Sequence, residues 1–210
     1  MGEMSMNRAI HAGFRRDLDR LDAALSAFPA GNQVRATQLD RAWANLDDQF
    51  TYHHHGEHEI AWPALRAVGV SADLLAELDG EHAALETALV DVRAAMAGLA
   101  RTALADDAKA ALAAVERLRE VAVTHLDHEE AELEPVFLAK RDSPELKAMG
   151  KQFAKVSPAR AGRYFAWLLD GADDDVRAAV THQIPGPVVS VVSGVFGRSY
   201  RRDVAPAWES

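Results

Sequence analysis

His53-His54-His55-Gly56-Glu57-His58-Glu59-Ile60-Ala61-Trp62-Pro63 is a stretch whose spacing returns at His125-Leu126-Asp127-His128-Glu129-Glu130-Ala131-Glu132-Leu133-Glu134-Pro135. In both, a His is followed four positions later by a Glu and ten positions later by a Pro. Residues four apart on a helix project from one face, so His53 with Glu57, and His125 with Glu129, each aim a nitrogen and a carboxylate in one direction. Each pair is a metal-binding half-site. A mixed imidazole and carboxylate set suits iron, manganese or zinc better than calcium, which prefers oxygen alone, or copper(I), which prefers sulfur.

The surroundings of these pairs decide whether they face solvent or a core. Helical spacing from His53 reaches Phe50, Ile60, Ala61 and Ala64, and from His125 it reaches Leu118, Val121, Ala122, Leu133 and Val136. Both pairs therefore lie within apolar stripes. An unpaired ionised Glu on a buried stripe costs several kcal/mol or more unless it is neutralised or coordinates a metal. Two such pairs point to a shared buried ion site.

Composition agrees with a helical core. The chain has 210 residues, 49% of them hydrophobic, which is enough for a full core with an appendage. Ala and Leu dominate and β-branched residues are sparse before residue 176, so an all-α fold is expected. The formal charge of −9, with no basic stripe before Arg198, Arg201 and Arg202, argues against a nucleic-acid binder. There is no Cys, so any metal is held by nitrogen and oxygen. Neither a secretory leader nor an apolar run of the ~20 residues that span a bilayer is visible, and a soluble, cytoplasmic protein is expected.

Four long helices are predicted, at about 6–28, 34–67, 72–104 and 107–141. His11 shares a face with Phe14, Leu18, Leu21 and Leu25, and His82 interrupts a seam of Leu75, Leu78, Leu85, Leu89, Val92 and Met96. Alone, either reads as a core histidine. Pro63 should kink or end the second helix. Short turns make an up-down antiparallel four-helix bundle the natural architecture. His53 and His125 then lie late on the second and fourth helices, His11 and His82 early on the first and third, and at ~1.5 Å rise per residue the four levels coincide. The division expected is a bundle over 1–142 and an extension of short helices over 143–210, which packs on the bundle or forms a partner surface. Tyr164-Phe165-Ala166-Trp167 reads as core packing or as that surface, and His182, without a ligand-spaced companion, reads as structural or exposed.

His11, His53-x3-Glu57, His82 and His125-x3-Glu129 together resemble the ligand pattern of the hemerythrin-like HHE cation-binding family, over about Met6 to Arg141. The resemblance implies a four-helix bundle holding two non-haem irons, oxo- or hydroxo-bridged, with Glu57 and Glu129 bridging the metals and the four His residues capping each side. Manganese or zinc suits the same donors. His54, His55, His58, His128, Glu59, Glu81 and Glu130 turn away from the face shared with the stripes and are left as bystanders or outer partners, with Glu130 an alternative to Glu129. One departure stands out. Oxygen-carrying members have a second His on the third helix where this chain has Glu86, which implies six ligands and a more open or more carboxylate-rich site.

Three functions follow as expectations. The first is a diiron protein that binds or reduces oxygen, peroxide or nitric oxide, with oxidoreductase activity left open. The second is an iron or oxygen sensor whose segment after residue 143 reports metal occupancy to a protein partner. The third is a metal-free bundle of hydrogen-bonded His–Glu pairs, which would need six polar side chains to converge in a core without a ligand.

Overall fold

The computed structural model describes residues 3–209, and among them there is no strand. The four long helices are α1 (Met6–Ser26), α2 (Gln33–Gly56), α4 (Ala72–Thr102) and α5 (Ala105–Lys140). Side chains start three of them: Ser5, Asn32 and Ser71 each accept a backbone N–H of the first turn. α5 instead opens with Asp106 and Asp107 in its first turn, where negative charge suits the helix dipole. α1 packs against α2 and α5, and α4 against the same two, so the four close into a ring.

Pro63 neither ends the second helix nor breaks it sharply. The helix widens into a π segment, Glu57–Ala61, and then resumes as α3, Trp62–Ala67. Pro63 has no N–H to give, and the Trp62 N–H reaches back five residues to the Glu57 carbonyl. The second Pro, Pro135, lies inside α5, which continues to Lys140.

Beyond the ring come α6 (Pro144–Phe153), α7 (Pro158–Leu168), α8 (Asp174–Gln183), α9 (Gly186–Phe196), α10 (Arg198–Asp203) and a closing 3-10 turn, Ala205–Trp208. α6 caps one end: its Leu146, Met149 and Phe153 join Ala61, Trp62, Leu65, Leu75, Leu78 and Leu133. The others share the larger core, where Trp167, Leu168, Val180 and Tyr200 pack with Phe14, Leu18 and Leu46. Trp167 is wholly buried, so in the stretch from Tyr164 to Trp167 it is core packing that the structure displays.

A buried acid ties this extension down. Asp17 is fully buried, accepts the Trp167 indole N–H at 2.8 Å, and is flanked by Arg16 at 2.8 Å and Arg20 at 3.3 Å. Arg20 also meets Asp170, which accepts the Tyr200 hydroxyl. α7 and α9 cross closely at Gly162, where an added Cβ would lie 2.7 Å from the Val192 carbonyl oxygen and from Phe196 C. Backbone cannot yield as a side-chain tip can. Gly162→Ala is therefore expected to destabilise by about 1–3 kcal/mol, read as a lower thermal midpoint.

Candidate metal centre

The ring of helices has two apolar cores with a polar layer between them. Phe14, Phe50, Leu85 and Ala122 bound the layer on one side, and Ala61, Trp62, Leu78 and Leu133 on the other. Phe14 and Phe50 stack with centroids 3.9 Å apart, and Trp62 lies parallel to His82 at 6.1 Å. Within the layer His11, His53, Glu57, His125 and Glu129 are buried, each 8% exposed or less. Such a layer has to justify its desolvation.

The donors gather in two sets whose ligand atoms lie within 4.8 Å of one another: His54, Glu57, His82 and His125, and His11, His53, Glu57 and Glu129. Glu57 belongs to both, whereas Glu129, expected to bridge as well, belongs to the second alone. All six residues singled out from the sequence are thus brought together, and a seventh, His54, joins them. Its ring stacks on His82 at 4.3 Å and meets His125 edge-on at 5.6 Å. This corrects the expectation that His54 turns away. α2 faces α1 on one side and α4 on the other, so neighbouring side chains reach different partners: His53 meets His11, and His54 meets His82. Glu57 is four residues from one and three from the other, and sits between them. The spacing His54-x2-Glu57 was the available signal.

Glu86 does not make the site more carboxylate-rich. It is more than half exposed and pairs with Arg93 at 2.7 Å. Glu130 also stays outside, accepting from His11 Nδ1 at 3.0 Å and from Arg15 at 2.6 Å, while Glu129 lies in the layer with Asn7 donating to its Oε1 at 2.8 Å. Glu81 accepts from His125 Nδ1 at 2.8 Å and His128 Nδ1 at 2.7 Å. His58 reaches Asp79, and His55 and Glu59 are exposed. His182 is exposed as well.

Whether a cation fits is decided by the atoms left over. Both oxygens of Glu57, Oε2 of Glu129 and Nε2 of His54 are buried without a hydrogen-bond partner. Imidazoles come as near as 3.0 Å to Glu57, from His53 Nε2, but without hydrogen-bond alignment. His11 and His53 face each other Nε2 to Nε2 at 3.1 Å, and His82 and His125 at 3.2 Å. With Nδ1 of His11 and of His125 donating to carboxylates, which only accept, their Nε2 atoms carry lone pairs when neutral. Orphaned carboxylate oxygens among converging imidazole lone pairs are what a cation would satisfy.

The electrostatics match. Burial opposes an anion at Glu57, but His53 and His82 outweigh it and hold the carboxyl well below its usual range. Burial keeps His54 well below the usual imidazole range and lowers His125. Burial also opposes charging of His11, yet Glu129 and Glu130 win and push it up to about 9. A raised imidazole stabilises the metal-free fold below its unfolded value of ~6.5, and that stability is lost as pH climbs through about 9. A metal must displace the same proton. From pH 6.5 to 9, metal-free protein is expected to melt progressively lower while metal affinity rises, with proton release visible by calorimetry in buffers of different ionisation enthalpy.

Fold and site together define a helical protein with a buried His and Glu cluster able to hold cations. Residues 5–154 match the family model described as Hemerythrin HHE cation binding domain, and the chain belongs to that family. No curated protein and no solved structure matched the chain in the same comparisons. The match runs through α6 and stops before α7. No helix among the described residues is long and apolar enough to cross a membrane.

Proposed function

We propose that the chain is a non-haem diiron protein, built as an up-down antiparallel bundle of α1, α2 with α3, α4 and α5, that binds or reduces oxygen, peroxide or nitric oxide. The observation that carries this reading is the convergence of seven donors around carboxylate oxygens that no protein group satisfies. His54, Glu57, His82 and His125 would hold one ion, and His11, His53, Glu57 and Glu129 the other. Manganese or zinc suits the same donors.

Bound iron would supply electrons and open coordination positions for a small oxidant. The chain supplies the rest. Phe14, Phe50 and Trp62 keep the layer dry, which strengthens every interaction inside it. Asn7 holds one oxygen of Glu129 and leaves the other facing His11, 3.3 Å away. Glu130 and Glu81 keep a proton on Nδ1 of His11 and His125 and turn Nε2 inward.

Elemental analysis of purified protein, with absorption spectra before and after peroxide, tests the reading. Two irons per chain with charge-transfer bands that respond to peroxide are expected, and His54→Ala should lose one of the two. No metal, or one zinc indifferent to peroxide, would defeat it.

A second reading, a sensor of iron or oxygen, draws support from one contact. Trp167 of the extension lies against Gly13, where an added Cβ would be 3.1 Å from its ring, and its centroid is 5.5 Å from that of Phe14, which borders His53 at 5.2 Å. Metal-dependent ordering of α1 would then reach the extension and a protein partner. Limited proteolysis with and without metal should differ after residue 143, and identical patterns would count against it.

A further inference from the structure

We propose that Glu81 is a positioning residue that sets the metal affinity of one half of the centre, and that Glu130 does so for the other half. The inference rests on the two-ion reading above. Each half-set contains one imidazole whose Nδ1 is held by a carboxylate outside the layer: His125 by Glu81 at 2.8 Å, and His11 by Glu130 at 3.0 Å. Among the described residues His53 and His54 have no such partner, and His82 Nδ1 is 3.7 Å from Asp79, beyond hydrogen-bond reach. One ring per half is therefore locked from behind.

The lock selects a tautomer and an orientation. A carboxylate carries no proton, so in the neutral ring it draws the hydrogen to Nδ1 and leaves the Nε2 lone pair facing inward. It also makes that nitrogen a stronger donor to a cation.

The two carboxylates are anchored differently. Glu81, on α4, spends one oxygen on His125 and the other on His128, three residues apart on one face of α5. Glu130 is fixed by Arg15 at 2.6 Å and Arg8 at 3.3 Å. Glu81 is 30% exposed and Glu130 16% exposed, so both can be altered without opening the buried layer.

Cobalt(II) titration of the full chain, followed by its visible bands, tests this. Wild type should take up two ions, and Glu81→Ala should weaken one step by about 10–100-fold while leaving the other unchanged. Glu130→Ala should weaken the complementary step. Glu81→Gln, whose carbonyl oxygen still accepts from Nδ1, should fall between wild type and Glu81→Ala, and it serves if the alanine variant fails to fold. Glu77→Ala removes the same charge one turn earlier on α4, from an exposed position, and should change neither step. Equal weakening of both steps by Glu81→Ala, no weakening, or an equal effect of Glu77→Ala overturns the proposal. Wild type that takes up fewer than two ions would instead overturn the two-ion reading, and this inference with it.

Discussion

Glu57→Ala is expected to abolish paired metal uptake, lowering affinity at both positions by more than the ~10–100-fold that an outer partner of a ligand controls. Glu57 alone among the donors belongs to both sets, and neither of its oxygens has a hydrogen-bond partner. Removing it takes the shared anion from between His53 and His82, whose Nε2 atoms are 3.0 Å and 3.4 Å from its two oxygens. The comparison that gives the result meaning is Glu129→Ala. Glu129 belongs to one set, so its loss should spare one ion where the loss of Glu57 spares neither. Equilibrium dialysis of both variants reads the difference directly. Two ions bound at wild-type affinity in Glu57→Ala would sink the assignment of this residue as the shared ligand.

Trp167→Ala is expected to be the largest single loss of stability outside the metal centre. The ring is wholly buried against Gly13 and Phe14, and truncating such a residue costs about 3–5 kcal/mol. Asp17 then loses its indole donor in a fully buried position, which adds about 1–3 kcal/mol. For a chain of this length the thermal midpoint should drop by on the order of 10 °C or more. Trp167→Phe separates the two contributions: it keeps most of the apolar volume and should show only the smaller, polar part. Melting of Trp167→Ala within a degree of wild type would show that the extension is not part of the cooperative core.

Much of this was legible along the chain because helical periodicity is local. The 3.6-residue repeat carried by Phe14, Leu18, Leu21 and Leu25, or by Leu85, Leu89, Val92 and Met96, places a buried face wherever the helix docks. The same periodicity brought His53 with Glu57, and His125 with Glu129, onto such faces. It misjudged His54, because periodicity assigns one inward face to each helix. α2 has neighbours on two sides, and a residue 100° round from His53 is still inside. Glu86 is a different case: the resemblance left open whether the site would be more open or more carboxylate-rich there, and α4 turns this side chain toward Arg93 and solvent.

Asp17 was missed for a different reason. An aspartate between two arginines reads as a solvated charge cluster, and only Trp167, 150 residues away, makes it a buried anchor. The π segment was legible only as a disturbance at Pro63. That a missing N–H would widen the helix instead of ending it depends on packing, since Trp62 and Leu65 on either side of Pro63 are buried with Leu75, Leu78 and Leu146.

The sequence by itself thus determined the helices, their buried faces and the His53–Glu57 and His125–Glu129 pairs, because each depends on residues within a turn or two of one another; His11 and His82 were placed on inward faces the same way and joined the pairs through the resemblance to the family. Tertiary structure alone decided which side chain completes the set, which carboxylates stand behind the imidazoles, and how the helices after residue 143 dock. Those choices are made between helices, where the partners are far apart in the chain and the energy of an imidazole or a carboxylate depends on what the neighbouring helix places opposite it.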